Sequence, residues 1–183
     1  FLFLVTESLP QKLPDFVSFL RVRTQLSVIG KLQVLFQKAF TYIPEWIPEN
    51  CIQCNMCSYV CPHAAIRPVV LDEADLANAP AGTKNVPLAL MTEKRFALTV
   101  SALDCTGCGS CVEMCPARGK ALTMERSAGR MFEDQNTFEY AKKVGVQEGS
   151  DKNVKTSQFL RPYLEYSGAC PGCGETPYVK LIT

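Results

Sequence analysis

Cysteine spacing constrains this chain more than any other feature. Two runs, CIQCNMCSYVCP (Cys51 to Pro62) and CTGCGSCVEMCP (Cys105 to Pro116), repeat one pattern of cysteines at two-, two- and three-residue gaps followed by proline. They hold eight of the ten cysteines. An even count would fit a secreted disulfide framework. Cysteines this close, however, are poorly placed to staple distant loops and well placed to converge on one metal centre. Metal ligation in a reducing compartment is therefore the stronger reading. Zinc ribbons and fingers take four ligands in two pairs, a different arrangement from two four-cysteine runs.

Both runs have the C-x2-C-x2-C-x3-C-P spacing of bacterial-type ferredoxins, which hold two [4Fe–4S] clusters. Three cysteines at two-residue intervals wrap a tight loop around one cube. The fourth points toward the neighbouring cluster, and proline ends its turn without needing a donor. By this pattern one cluster takes Cys51, Cys54, Cys57 and Cys115, and the other takes Cys105, Cys108, Cys111 and Cys61. Gly107 and Gly109 suit a crowded loop with unusual dihedrals. Ile52, Met56, Tyr59, Val60 and Ile66, with Val112, Met114 and Leu122, are expected to form a dry sheath that helps set a low potential. His63, the sole histidine, is read as a ring beside a cluster rather than as a ligand.

The rest of the chain is organised around the repeat. The stretch LSVIGKLQVLFQKAF has apolar residues at helical spacing from Leu26 to Phe40. Pro44 and Pro48 break the chain before the first run. AAIRPVVL and KALTM read as short strands after the two runs, and RFALTVSAL (Arg95 to Leu103) reads as a strand entering the second. LDEADLANAPAGTKNVPLA reads as an inserted loop. NTFEYAKKV predicts a short helix, with Asn136 and Glu139 placed for a capping box. The expected fold is α+β: a ferredoxin-like 2[4Fe–4S] domain over residues 44–145 with short strands, short helices and that loop. Residues 1–43 form an N-terminal segment, 146–157 a polar linker, and 158–183 a truncated C-terminal segment.

That last segment carries the remaining cysteines, Cys170 and Cys173, in a CPGCG knuckle. Alone, the knuckle fits half a rubredoxin-like or zinc-ribbon site, or a redox dithiol lacking the βαβ surroundings of a thioredoxin fold. Its context is more specific. SQFLRPYLEYSGACPGCGETPYVKLIT resembles the entry to the thiamine-diphosphate domain of the pyruvate:ferredoxin oxidoreductases. WIPENCIQCNMCSYVCPHAAIRP and SALDCTGCGSCVEMCPARGKAL resemble that family's ferredoxin-like domain. The resemblance runs from about Pro44 to Thr183, with the motifs in the family's order; residues 1–42 depart from it, as a divergent segment or the product of a reading-frame slip. It implies that Cys170 and Cys173 are half the ligands of a third [4Fe–4S] cluster. It also implies that Glu175 lies at thiamine diphosphate, and that the other ligands and the Mg²⁺ site belong to a larger parent polypeptide, a homodimer.

The activity implied is oxidative decarboxylation of pyruvate with coenzyme A, with electrons leaving through the clusters to ferredoxin or flavodoxin. The residues present would carry electrons rather than perform the carbon chemistry. Two rivals remain: a stand-alone 2[4Fe–4S] carrier, and the electron-transfer part of another 2-oxoacid oxidoreductase. Carriers of this kind are usually strongly acidic, whereas 19 basic and 18 acidic side chains leave a net charge of +1 here. That balance points to neither nucleic acid nor an anionic membrane, and no apolar run is long enough for a membrane span. The expected location is cytoplasmic, or an anaerobic organelle.

Overall fold

The computed structural model describes residues 41–89, 91–145 and 153–182. The predicted helix over Leu26–Phe40, and most of the expected linker, lie outside these residues.

Each cysteine run sits between two strands, and the strands are exchanged. Strand β1 (Tyr42–Trp46) precedes the first run and β2 (Ile66–Leu71) follows it. Strand β4 (Met91–Val100) precedes the second run and β5 (Leu122–Arg126) follows it. β1 pairs antiparallel with β5, from Tyr42 opposite Arg126 to Trp46 opposite Leu122. β2 pairs antiparallel with β4, from Ile66 opposite Val100 to Leu71 opposite Arg95. The strand entering one half thus binds the strand leaving the other, so neither half has a complete sheet of its own. Pro68 is tolerated in β2 because that strand is an edge of the β2-β4-β3 sheet.

The segment between β2 and β4 is more ordered than the loop expected from its composition. Asp72 and Asp75 form a reciprocal capping box that starts helix α2 (Glu73–Ala77). Strand β3 (Val86–Leu88) then adds to the free edge of β4. The first run carries helix α1 (Met56–Tyr59) and the second carries α3 (Ser110–Glu113), each of four residues.

Helix α4 (Met131–Val144) buries Met131, Gln135, Phe138 and Ala141, which share one face at three- and four-residue spacing. It starts five residues before the predicted cap: Asn136 lies inside the helix, and Glu139 accepts a hydrogen bond from Gln135 Nε2 at 3.0 Å. Gln135 Oε1 accepts from Ser101 Oγ and from the Leu103 backbone N–H, which fixes the chain just ahead of Cys105. Because α4 covers one face of the sheet and the core covers the other, Phe96 to Val100 are buried throughout and do not alternate.

The core joins Trp46, Ile66, Phe96, Leu98, Val100, Cys111 and Leu122. Trp46 meets Phe96 edge-on at 5.7 Å between ring centroids, and Phe96 meets Phe159 at 6.2 Å. Phe159 belongs to the C-terminal segment, which contains helices α5 (Val154–Ser157) and α6 (Thr176–Ile182). This segment is docked on the cysteine-bearing domain. Glu165 forms ion pairs with Arg67 and Arg161 at 3.0 and 2.9 Å, and Asn55 Nδ2 donates to the Lys155 carbonyl at 2.8 Å. Residues 153–157, assigned to the linker by their polarity, are therefore a capped helical turn held at the first cysteine loop. Among the described residues, no helix is long and apolar enough to cross a membrane.

Candidate metal centres

Backbone conformation shapes both cysteine loops alike. Gly107 and Gly109 in the second run have φ of +70° and +79°. The residues at the same places in the first run, Gln53 and Asn55, have φ of 54° and 61°. Asparagine tolerates the left-handed region; glutamine does so less readily. Gln53 is held there by its amide, which donates to the Pro87 carbonyl at 2.8 Å and accepts from the Ala89 N–H at 2.9 Å. Glycine is required at 107 for a second reason. A Cβ there would stand 2.7 Å from the Tyr42 carbonyl oxygen, so β1 passes directly over the loop.

These loops enclose two cavities. One is lined by Cys51, Cys54, Cys57 and Cys115 together with Trp46, Phe96, Leu98 and Leu122. The other is lined by Cys61, Cys105, Cys108 and Cys111 together with Pro44, Ile66, Val100 and Met124. In each, three cysteines come from one run and the last from the other, in the grouping anticipated from spacing. The expected sheath is only partly present. Ile66 and Leu122 are buried against the cavities, but Ile52 and Met114 are 58% and 49% exposed. The walls come instead from β1 and β4, through residues such as Trp46 and Phe96. For Phe96 and Leu98 the available signal was their alternation with smaller residues along the β4 sequence; Trp46 in β1 had none.

The thiols form a donor set that needs a cation. Burial, followed by the charges of Cys111, Cys51 and Cys54, pushes the Cys57 thiol well above its ordinary range. Burial and the charges of Cys105, Cys61 and Cys108 push Cys111 up to about 12. Four crowded thiols cannot ionise together without positive charge among them, which bound iron would supply. Among the described residues, no three metal-ligating side chains close on a single-ion site. The thiols surround a space instead, which suits a cluster with one iron per thiolate. Both crossing cysteines also accept a backbone N–H: Ala65 donates to Cys61 Sγ at 3.3 Å and Ala121 to Cys115 Sγ at 3.4 Å. Such bonds stabilise sulfur carrying negative charge.

The C-terminal segment packs against the rim of the second cavity. Cys108 is exposed; its partial desolvation raises the thiol pKa, but hydrogen bonds from Ser110, the Gly172 backbone N–H and Thr106 lower it overall. Gly172 lies in the knuckle, where a Cβ would come 3.7 Å from Cys108 Cβ. Next to it, Ser167 Oγ donates to the Pro62 carbonyl at 2.9 Å and the Tyr166 N–H donates to the His63 carbonyl at 3.0 Å. His63 is buried and lines this cavity. Its Nδ1 donates to the Ser167 carbonyl at 2.8 Å, while Nε2 is buried with no hydrogen-bond partner among the described residues. Lys180, which spacing alone did not single out, donates to the Ser58 and Cys61 carbonyls at 3.0 and 2.6 Å. Burial lowers its pKa to about 8, against the opposing charge of Cys61.

Cys170 and Cys173 line neither cavity; Cys170 is exposed and the Cys173 N–H donates to its carbonyl at 3.1 Å. Glu175 is exposed at the head of α6.

Residues 50–119 match the 4Fe-4S dicluster domain. The chain is 50% identical over 145 residues to pyruvate:ferredoxin oxidoreductase of Moorella thermoacetica. It is 47% identical over 143 residues to pyruvate-flavodoxin oxidoreductase of Klebsiella pneumoniae. Each alignment covers 77% of this chain and 12% of the relative. The mitochondrial pyruvate dehydrogenase [NADP(+)] of Euglena gracilis is 43% identical over 167 residues, covering 85% of this chain and 9% of the relative. The chain thus spans roughly a tenth of the length of these relatives. Residues 50–119 thus match a 4Fe–4S dicluster domain, and the chain around them is similar to one portion of much longer pyruvate oxidoreductases.

Proposed function

We propose that this chain is the electron-transfer portion of a pyruvate:ferredoxin or pyruvate:flavodoxin oxidoreductase. The parent enzyme converts pyruvate and coenzyme A to acetyl-CoA, carbon dioxide and two electrons. Cys51, Cys54, Cys57 and Cys115 hold one [4Fe–4S] cluster, and Cys105, Cys108, Cys111 and Cys61 hold the other. Each cluster, when bound, takes up and releases a single electron. The chain's own residues provide the holding thiolates, the apolar walls that exclude water, and the N–H donors that stabilise charge on sulfur.

The observation that carries this reading is the seat of the knuckle. Cys170 and Cys173 flank Gly172, whose N–H is directed at Cys108, so any centre on the knuckle adjoins the second cavity. The two cavities in turn lie on either side of the contact between α1 and α3, and the charge of Cys111 reaches Cys57. Exposed Ile52 and Met114 flank Cys51 and Cys115 at the first cavity, where they offer apolar contact to a ferredoxin or flavodoxin acceptor. The knuckle thus neighbours the second cavity, and the second cavity neighbours the first. In the parent, Cys170 and Cys173 join further ligands around a third cluster and Glu175 lies at thiamine diphosphate with its Mg²⁺. Residues 158–182 are on this reading the entry to the thiamine domain, and the parent is a cytoplasmic or organellar homodimer.

Iron and sulfide analysis, with electron paramagnetic resonance of the dithionite-reduced chain, tests the proposal. The expected result is about eight irons per chain and the signal of two interacting [4Fe–4S] clusters. Zinc in place of iron, or a single cluster, refutes it.

A further inference from the structure

The two crossing cysteines share a feature that no part of the cluster motif specifies. Beside Cys115, Lys120 Nζ donates to the carbonyls of Val112, Glu113 and Cys115 at 3.1, 3.0 and 3.1 Å. Beside Cys61, Lys180 Nζ donates to the carbonyls of Ser58 and Cys61. Ser58 and Val112 each directly follow the third cysteine of their run, and Cys61 and Cys115 are each its fourth. The same carbonyls of the two repeats are therefore capped by an ammonium group. These carbonyls gather at the end of a short helical turn, where they carry partial negative charge and favour a cation.

The two lysines do not come from equivalent places. Lys120 is local, five residues past Cys115. The same place past Cys61 is Ile66, which is buried in the core and opens β2. The first repeat has given that position to packing. Its cation arrives instead from α6, across 119 residues of sequence. The surroundings differ as well. Lys120 is exposed, whereas Lys180 is half-buried under the docked segment, and a cation shielded from water acts more strongly on a neighbouring charge.

The geometry points to Lys180 and Lys120 as matched positioning cations at the two crossing cysteines, with the C-terminal segment supplying the stronger one and thereby raising the potential of the centre that Cys61 serves. The inference rests on the two-cluster reading above and adds what separates the two centres energetically. Adding an electron makes a centre more negative, so a fixed positive charge near its ligand stabilises the reduced form. The docked segment lies against the second centre and also tunes it. That centre is thereby a better electron acceptor than it would be without Lys180.

Redox titration of the full chain at constant pH, loaded with iron and sulfide and followed by electron paramagnetic resonance, tests this. Lys180→Gln keeps a hydrogen-bond donor and removes the charge; Lys180→Arg keeps both. The expected result for Lys180→Gln, at unchanged iron content, is a lower midpoint for one of the two clusters. At a fixed potential its reduced-to-oxidised ratio falls about tenfold, which is 59 mV for a one-electron couple. Lys180→Arg stays near wild type, and Lys120→Gln shifts the other cluster by less. Unshifted midpoints in Lys180→Gln, equal shifts of both clusters, or an identical effect of Lys180→Arg would overturn the inference while leaving the two-cluster reading intact. A wild-type chain without two clusters would overturn both. Lys180→Met is the second variant: it removes charge and bond together, and its midpoint should fall at least as far as that of Lys180→Gln.

Discussion

At the scale of single residues, the two loops meet one backbone requirement in two ways. The second run uses glycine at both left-handed positions, and the first uses Gln53 and Asn55. Those polar side chains then reach out, Gln53 to β3 and Asn55 to the turn at Lys155. The glycines are also unlike one another. Gly107→Ala adds backbone strain and drives a methyl group into the Tyr42 carbonyl, at a cost of about 3 kcal/mol. Gly109→Ala meets no neighbouring atom and carries the strain alone, about 1 kcal/mol. Guanidinium titration of the two variants, read from the visible absorbance of the bound clusters, should order them that way; equal midpoints would show that contact with β1 is unimportant. The glycines stand out in the sequence. The roles of Gln53 and Asn55 do not, because their partners lie 34 and 100 residues away.

Among the elements, the C-terminal segment is where composition misled most. Residues 153–157 are polar and read as a tether, yet Asn153 caps a helical turn by accepting from the Lys155 N–H at 2.9 Å. Downstream, Glu165 gathers Arg67, Arg161 and Lys142, and Tyr166 lies against Arg67 and Lys142. Burial alone would raise the Glu165 pKa, but hydrogen bonds from Arg161 and Arg67 and the charges of Arg67 and Lys142 lower it overall. A lowered folded-state value means that the carboxylate's contribution to docking is complete above the ordinary glutamate value of 4.5 and is lost as pH falls through the folded one. Limited proteolysis across that range should show residues 158–167 released as the medium is acidified. Glu165→Gln should show the released pattern already at neutral pH; a variant as protected as wild type at pH 7 would count against the ion-pair cluster as the latch. The strands were better anticipated, since β2, β4 and β5 each overlap a predicted one. α4 begins earlier than its apparent cap because packing of Met131 and Gln135 outweighs a local capping signal.

For the whole molecule, the cysteine grouping was legible in advance because ligand spacing is local and the crossing follows from the repeat. The exchange of strands and the seating of the knuckle were not, because both depend on contacts between distant segments. The crossing makes a selective prediction. Cys115→Ala should cost the centre of Cys51, Cys54 and Cys57, and Cys61→Ala the other, each leaving about four irons and one spectroscopic species. Loss of the same species in both variants would mean that each run closes on itself. The exchanged strands also bear on timing. Neither cavity has four walls until both runs have left the ribosome, and among the described strands β1 pairs with β5 alone, which is made later. Birth order along the chain is therefore not maturation order: the first loop made must wait, open and thiol-rich, for a residue made much later.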